Sequence, residues 1–227
     1  MAGRNEIKYF INVGDQATIR ARIKHLMKPD PHAGPDGRYK IRSIYFDSPD
    51  NKHLAEKTAG VSMREKWRIR YYNDDLGFIR LERKSKRNKR CFKKSARLSL
   101  EQAQAILDGD IDWLAESDVP LFVEFHSKLQ AQWLQPRVIV DYLREAYVYP
   151  AGNVRINFDT WVRTGLSSTD VFRADLPTHL AVDPRMVILE VKYDAFIPAH
   201  LSAALTSGSR LPQSISKYER CRIFESA

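Results

Sequence analysis

The sequence predicts an α+β fold in which a closed antiparallel β-barrel has helices packed against its outside. Several strand-like segments place charged residues on one face and apolar or aromatic residues on the other, following the period-two alternation of a strand. Two helical segments carry an apolar stripe that needs a sheet to cover. A sandwich would turn the charged faces outward, whereas a barrel with outside helices buries the apolar faces and turns the charges into its bore.

Composition limits the possible partners. The chain has 227 residues, 43% of them hydrophobic and 29% charged, which is typical of a soluble globular protein, and we expect one domain over residues 1–227. The net charge of +9 favours anionic partners, namely nucleic acid, a membrane surface or phosphorylated small molecules. Cys91 and Cys221 have neither metal-site nor paired spacing. With no signal peptide or membrane-spanning run, these features predict a cytoplasmic protein.

The most informative segment is a predicted hairpin from Arg64 to Lys84 with its turn at residues 73–77. Alternation puts the basic residues of each strand on one face and mostly apolar residues on the other. The charged face carries Arg64, Lys66, Arg68, Arg70, Arg80, Glu82 and Lys84. Like charges on neighbouring strands repel, and a solvated face usually mixes both signs. An anionic ligand is therefore expected between them.

The other elements follow from periodicity and from helix caps. Helices are predicted over 16–27, capped by Asp15 and stopped by Pro29, over 100–107 behind a Ser99–Gln102 capping box, and over 111–134, with a short helical turn within 49–60. Further strands are predicted over 6–13, 39–49, 91–99, 137–149, 154–162 and 186–193, with a basic loop over 85–90 and a final helix over 211–224.

Strand phase then selects the residues that point into the bore. These are Lys8, Arg68, Arg70, Lys84, Arg144, Arg155 and Lys192. So many cations in one bore need hydration or anions to offset their repulsion. A chain of phosphates is the natural occupant. Trp67, Tyr71 and Tyr142 are predicted to lie outside the bore, on apolar faces under the helices.

Seven short motifs now support a family resemblance. In chain order they are EIKYF, RIRYY, LERK, YLREAY, VRINFDT, LEVKYD and SKY. Their order and separations resemble the VTC-type polyphosphate polymerase domain of the triphosphate tunnel metalloenzyme, or CYTH-like, superfamily. The resemblance covers the chain from Asn5 to about Cys221. It implies an eight-stranded antiparallel tunnel that binds a nucleoside triphosphate and Mn²⁺ or Mg²⁺.

The resemblance also implies an activity and roles for residues. Such domains transfer the γ-phosphate of a nucleoside triphosphate, expected here to be ATP, to a growing polyphosphate chain. The implied phosphate-binding and catalytic residues are Lys8, Arg68, Arg70, Lys84, Arg144, Arg155, Lys192 and Lys217. Lys66 and Arg80 share the charged face of the hairpin and are predicted as further phosphate contacts for that reason. Glu190 is the implied metal ligand, and Glu6, Glu82 and Asp159 are the weaker candidates. A separate membrane protein that receives the polymer is an implied partner, which would place the domain at the inner face of a membrane.

The chemistry agrees with that set of residues. Phosphoryl transfer needs positioning and neutralisation of charge on the transferred oxygens. Guanidinium forks grip phosphate bidentately and lysines act as mobile point charges. Mg²⁺ and Mn²⁺ prefer one or two carboxylates together with phosphates and water. The acceptor phosphate is already an oxyanion, so no general base is nominated.

Two departures from the family patterns bear on the activity. Hydrolytic and cyclase relatives are typified by ExExK on the first strand, and here Arg4 stands where its first glutamate would be. This favours one metal, and hence transfer over hydrolysis. Some relatives carry a lysine three residues before the SKY lysine, and here that residue is Ser214. The grip on the polymer end is expected to be weaker for that reason.

Three other functions stay open on the sequence. A tunnel triphosphatase would hydrolyse tripolyphosphate or nucleotide in the same bore. A non-catalytic module that binds or senses polyphosphate would need only the basic lumen. A nucleic-acid binder is disfavoured because the basic run from Ser85 to Lys94 lacks the interleaved aromatic residues that stack on bases.

Overall fold

A computed structural model describes residues 3–88, 90–206 and 210–225. Its strands are β1 Asn5–Asn12, β2 Lys28–Pro29, β3 Arg38–Asp47, β4 Met63–Tyr72, β5 Asp75–Arg87, β6 Arg90–Leu98, β7 Gln135–Tyr149, β8 Val154–Thr164, β9 His179–Leu180 and β10 Met186–Tyr193. Its helices are α1 Val13–Ile23, α2 Lys52–Thr58, α3 Leu100–Asp108, α4 Pro120–Gln132, α5 Ala199–Leu205 and α6 Lys217–Glu225, with short 3₁₀ turns at Asp112–Leu114 and Ala151–Asn153.

Eight of the described strands form one antiparallel sheet in the order β1-β10-β8-β7-β3-β4-β5-β6, and the short β2 and β9 pair with β7 and β8. The two edges of this sheet meet. Arg4 and Cys91 exchange two backbone hydrogen bonds of 2.9 Å between the starts of the outermost strands. The ammonium group of Lys84 on β5 also reaches across the seam to the Glu6 carboxylate on β1, at 2.8 Å. The predicted eight-stranded antiparallel barrel is confirmed.

The predicted hairpin is confirmed, but its strands are longer than expected. β5 begins at Asp75 and runs to Arg87, and β6 begins at Arg90. The basic segment 85–90 was predicted to be a loop and is instead mostly strand, because residues 85–87 pair with residues 90–92. Ladder pairing thus overrides the polar, turn-like composition of this segment.

Helices α3 and α4 cover the outer face of β4 and β5. Trp67 on β4 is completely buried and stacks on Phe125 of α4, with ring centroids 4.8 Å apart. The Ser99–Gln102 capping box of α3 is present. The helix expected over 111–134 is divided into a 3₁₀ turn and α4, which starts at Pro120. Proline is favoured at the first position of a helix because it has no N–H to donate there.

Helices α1 and α5 cover the outer face of β8 and β10. Ile19 and Ile23 of α1 are fully buried in a cluster with Phe158 and Leu189. The predicted cap of α1 was wrong. Asn12 is the N-cap, and the Asp15 side chain accepts a hydrogen bond from the Asn12 backbone N–H in a capping box. Helix α1 therefore occupies Val13–Ile23 rather than 16–27.

Helix α6 departs from the expected arrangement of helices outside the barrel. Tyr218 and Cys221 pack with Ile188 and Val140, which share the inner strand face with the charged residues. Helix α6 therefore fills part of the bore, and it begins at Lys217 rather than at residue 211 as predicted. In the described ranges, no helix has the length and apolarity needed to cross a membrane.

Candidate phosphate-binding tunnel

The inner face of the barrel surrounds a cavity of about 450 Å³. Segment 212–216, just before α6, completes its wall. In the described part of the chain, the basic residues of the wall are Lys8, Lys57, Arg64, Lys66, Arg68, Arg70, Lys84, Lys86, Arg144, Lys192 and Lys217. Its carboxylates are Glu6, Glu65 and Glu190. This excess of positive charge in a concave site favours an anionic ligand.

Glu190 on β10 is the carboxylate around which the basic residues converge. It is 3% exposed. Lys8 and Lys217 contact Oε1 at 3.0 and 2.9 Å, and Arg144 and Lys192 contact Oε2 at 3.1 Å each. Burial alone would raise the pKa of Glu190, but these four cations outweigh it and hold this pKa well below its ordinary value. Glu190 is therefore charged throughout the physiological pH range.

Arg144 on β7 links Glu190 to a second buried carboxylate. Its Nε and Nη2 donate to the two oxygens of Asp159, at 2.6 and 2.7 Å, in the fork geometry that guanidinium favours. Lys217 also pairs with Asp159. Burial opposes ionisation of Asp159, but Arg144 and Lys217 prevail and lower its pKa. Arg144 is thereby fixed in position at the cavity wall.

Arg68 and Arg70 on β4 are fixed in a similar way by Glu82 of β5. Arg68 donates to Glu82 from Nη2 at 2.6 Å and to the Tyr45 hydroxyl at 2.7 Å. Arg70 Nη2 donates to the Tyr142 hydroxyl at 3.1 Å. Burial opposes the charge of Glu82, but the two arginines hold the pKa of its carboxyl far below the ordinary value. Both guanidinium groups are pre-oriented in the wall.

Glu6 on β1 balances the remaining lysines of the wall. Lys84 contacts it at 2.8 Å, and Lys8 Nζ lies 3.1 Å from Glu6 and 3.0 Å from Glu190. Burial disfavours the charge on Lys8, but the two carboxylates overcome it and raise its pKa. Lys8 therefore stays protonated between two carboxylates.

The donor set fits a metal ion that is bound together with phosphate. No group of three or more His, Cys, Asp or Glu side chains in the described ranges could hold an ion alone. Mg²⁺ and Mn²⁺ instead accept one or two carboxylates with substrate phosphates and water. Glu190 and Glu6 both line the cavity and could supply these. Glu82 and Asp159, predicted as weaker candidates, lie behind arginines and outside the cavity wall.

Lys66 differs from the other cations of the cavity. Its Nζ lies 2.9 Å from Ser216 Oγ and 4.5 Å from the centre of the Tyr218 ring. No carboxylate of the described residues forms an ion pair with it. Burial and the nearby charges of Lys8 and Lys57 lower its pKa well below that of an ordinary lysine. Lys66 therefore marks a place in the wall where an anionic ligand would supply the missing countercharge.

The structure brings most of the predicted site residues together at this cavity. They are Glu6, Lys8, Lys66, Arg68, Arg70, Lys84, Arg144, Glu190, Lys192 and Lys217. Arg155 and Arg80 lie outside its wall. Arg155 pairs with Asp30 and donates to the Tyr39 hydroxyl at 2.7 Å. Arg80 donates to Ser95 Oγ at 2.6 Å.

Two residues near the cavity, Lys93 and Tyr142, differ from the expectations based on the sequence, since Lys93 was not among the predicted site residues. Lys93 on β6 lies opposite Lys84 in the ladder and pairs with Glu82. The phase of β6 relative to β5 would have identified it. Tyr142 was predicted on the outside but lies in the cavity wall, where the Lys217 ammonium is 4.6 Å from its ring centre. Its ring is apolar, yet both its hydroxyl group and the face of its ring interact with cations.

The tunnel is expected to take up protons when it binds an anion. Burial lowers the pKa of Lys192 to about 8 despite the opposing charges of Glu190 and Glu6. Phosphate favours the charged lysine, so binding above that pH raises this pKa and draws a proton from solvent. Calorimetry of tripolyphosphate binding at about pH 8.5, in buffers of different ionisation enthalpy, measures the uptake.

Lys66 is expected to contribute to the same uptake because its pKa is also lowered. The substitutions Lys192→Met and Lys66→Met should each reduce the number of protons bound.

The lowered pKa of Lys192 also makes the stability of the fold depend on pH, with a defined sign. Between the lowered pKa of Lys192 and the ordinary pKa of lysine, the unfolded chain holds more protons, so this group makes the free energy of unfolding rise with pH there. If the wild-type protein takes up no protons when it binds tripolyphosphate, the lowered pKa values assigned to Lys192 and Lys66 are both contradicted.

Comparison with known sequences identifies one family. A family profile described as the VTC domain matches residues 3–223, nearly the whole chain. The search of curated proteins found no match.

Several solved structures are similar at low sequence identity. The PH1819 protein of Pyrococcus horikoshii OT3 is 15% identical, with a TM-score of 0.47 and 99% of each chain covered. A candidate adenylate cyclase from Bacillus halodurans is also 15% identical, with a TM-score of 0.47, 89% of this chain and 87% of that chain covered. A Hippeastrum candidate adenylyl cyclase with a dominant triphosphatase activity is 10% identical, with a TM-score of 0.47, 90% of this chain and 84% of that chain covered.

Proposed function

Since this chain belongs to the VTC domain family, we propose that it is a polyphosphate polymerase, which transfers the γ-phosphate of a nucleoside triphosphate to the end of an inorganic polyphosphate chain. ATP is the expected donor. The observation that carries the proposal is the basic cavity inside the barrel, with Glu190 at the meeting point of four cations. Such a site is suited to a ligand that consists mostly of phosphate.

The arginines of the wall would hold the transferred group. Arg68, Arg70 and Arg144 are fixed by carboxylates and hydroxyls before any ligand arrives. Pre-oriented cations stabilise charge that develops in the transition state without reorganising at that moment. Because phosphoryl transfer depends mainly on alignment and charge neutralisation, these three residues supply what the reaction requires from side chains.

The lysines around Glu190 would adapt to the ligand. Lys8, Lys192 and Lys217 now contact Glu190, and each ends in a mobile ammonium group on a flexible stem. Glu190 would hold Mn²⁺ or Mg²⁺ together with the substrate, and the ion would supply additional charge neutralisation there. The three ammonium groups would neutralise the phosphates that lie beside Glu190.

Arg4 is the observation that favours transfer over hydrolysis. Its side chain is not part of the cavity wall, and its Nε lies 3.1 Å from Asp194 Oδ1. The position that bears the first glutamate of ExExK in hydrolytic relatives is thus occupied by a cation that pairs with an exposed aspartate. A second metal that activates water lacks this ligand. The acceptor needs no activation, because a terminal phosphate is already an oxyanion.

Incubation of the purified protein with ATP and Mn²⁺ tests the proposal. We expect polymer that stains for polyphosphate on a gel and disappears when the metal is chelated. Release of orthophosphate without polymer would instead identify a triphosphatase. Tight polyphosphate binding with neither product, in Mn²⁺ and in Mg²⁺, would identify a binding module. Each of these two results would overturn the polymerase assignment.

A further inference from the structure

Three arginines form a row across the inner face of β4, β5 and β6. Arg70 lies directly opposite Arg80, and Arg80 lies directly opposite Arg97. Arg70 lines the tunnel cavity, whereas the other two lie beyond its wall, toward the edge strand β6. Neighbouring strands are about 4.8 Å apart, so the row extends about 10 Å from the cavity wall.

The two outer arginines carry charge that no carboxylate of the described residues offsets by an ion pair. Arg80 donates to Ser95 Oγ at 2.6 Å, and Arg97 donates to the Gly77 carbonyl at 2.8 Å. Like charges directly opposite each other on adjacent strands are destabilising. By contrast, Arg68 and Arg144 inside the barrel each have a carboxylate partner. The outer part of the row is therefore set up for an anionic or π-rich ligand.

An exposed aromatic ring lies between these arginines. Phe78 is 38% exposed, and its ring centre lies 5.4 Å from the guanidinium carbon of Arg80 and 5.8 Å from that of Arg97. The Tyr72 ring is 6.4 Å away, centre to centre. Polyphosphate has no group that would use an aromatic surface. Nucleobases, however, stack on aromatic rings and on guanidinium planes.

The opposite end of the basic stretch on β4 has different chemistry. Lys66 is four residues from Arg70, about 13 Å along the strand, and its neighbours in the cavity wall include Arg64 and Lys86. The aromatic ring next to Lys66 belongs to Tyr218, which is buried. That end suits a ligand made of phosphate alone. The two ends of the site thus differ in what they could recognise.

We propose that Phe78, Arg80 and Arg97 bind the nucleoside part of the donor nucleotide, while its phosphates extend past Arg70 into the cavity. This inference rests on the proposed function, since it assigns the donor of that reaction to one end of the site. The base stacks against Phe78 and the flanking guanidinium groups. The polymer end then approaches the γ-phosphate from the direction of Lys66.

Calorimetry with ATP and with tripolyphosphate tests this assignment without turnover when divalent metal is left out. Tripolyphosphate carries the phosphates but no base. The substitution Phe78→Ala is expected to weaken ATP binding about tenfold, as loss of one base–aromatic stacking contact does, and to leave tripolyphosphate binding unchanged. Phe196→Ala, at another exposed phenylalanine, is the matched control and should change neither affinity.

A second variant gives a direct signal. In Phe78→Trp, ATP but not tripolyphosphate should quench fluorescence, measured as the difference from the wild-type protein, which has four tryptophans of its own. Unchanged ATP affinity in Phe78→Ala, or equal weakening of both ligands, would overturn the inference. These outcomes are separable from the activity. If the wild-type protein makes polymer but Phe78→Ala binds ATP as tightly as the wild type, only the nucleoside site is refuted. If Phe78→Ala selectively loses ATP binding but the wild-type protein makes no polymer, only the polymerase activity is refuted.

Discussion

Glu190→Gln is expected to cause a severe loss of metal-dependent polymer synthesis while leaving polyphosphate bound. The amide keeps the shape of the side chain but removes the charge that would hold a divalent ion and that now attracts four cations. Loss of a residue that merely supports a metal ligand costs about 10–100-fold, so loss of the ligand itself should cost roughly 100-fold or more. Initial rates with ATP and Mn²⁺ measure the loss.

Binding separates this effect from a general loss of structure. With Glu190 neutral, Lys8, Lys192 and Lys217 have one carboxylate fewer to contact, so polyphosphate affinity measured by calorimetry should stay the same or rise. Glu116→Gln, at an exposed glutamate, is the control and should keep the wild-type rate. A wild-type rate in Glu190→Gln would remove this residue from the metal site. A parallel collapse of polyphosphate affinity would show that Glu190 acts in binding instead.

Arg144→Lys is expected to have the second-largest effect, on both activity and stability. Lysine keeps the charge but cannot reproduce the fork that contacts both oxygens of Asp159 and reaches Glu190. The rate of polymer synthesis should fall roughly 100-fold because one pre-oriented cation of the transition state is lost. Weaker hydrogen bonds to buried Asp159 should lower the free energy of unfolding by roughly 2 kcal/mol.

Two measurements keep these effects apart. Rates are taken well below the melting temperature, where the variant is folded, and stability is taken from urea unfolding. Arg185→Lys is the matched control, since Arg185 also forms a fork with an aspartate, Asp183, but at an exposed position. It should change neither quantity. A normal rate in Arg144→Lys with reduced stability would limit Arg144 to a structural role.

The alternation of basic and apolar side chains along the strands was the feature of the fold that could be predicted best from the sequence. In β4, every second residue from Arg64 to Arg70 is basic, and the residues between include Trp67 and Ile69, both completely buried outside the bore. A shift of one residue would exchange the two faces, so the pattern fixes which side is inner. Periodicity did not reveal that α6 would enter the bore, because that depends on contacts between distant parts of the chain.

The errors have physical causes of the same kind. Asn12 and Asp15 are both good caps, and the reciprocal bonds that choose between them form only in the folded turn. Tyr142 has an apolar ring, and this aromatic character suggested a place on the outer face of the barrel. Its phase placed it beside Arg144, where it in fact lies. Lys93 was missed because the pairing of β6 with β5, rather than any local motif, brings it to Glu82.

The proposed transfer of phosphate is tested most directly by following ATP radiolabelled at the γ-phosphate. The protein is incubated with this ATP, Mn²⁺ and a short polyphosphate primer, and the products are separated by chain length. We predict label in a ladder of chains longer than the primer, and a ladder that is lost in Glu190→Gln. Label that appears only as orthophosphate, or stays in ATP, would contradict a polymerase in this tunnel.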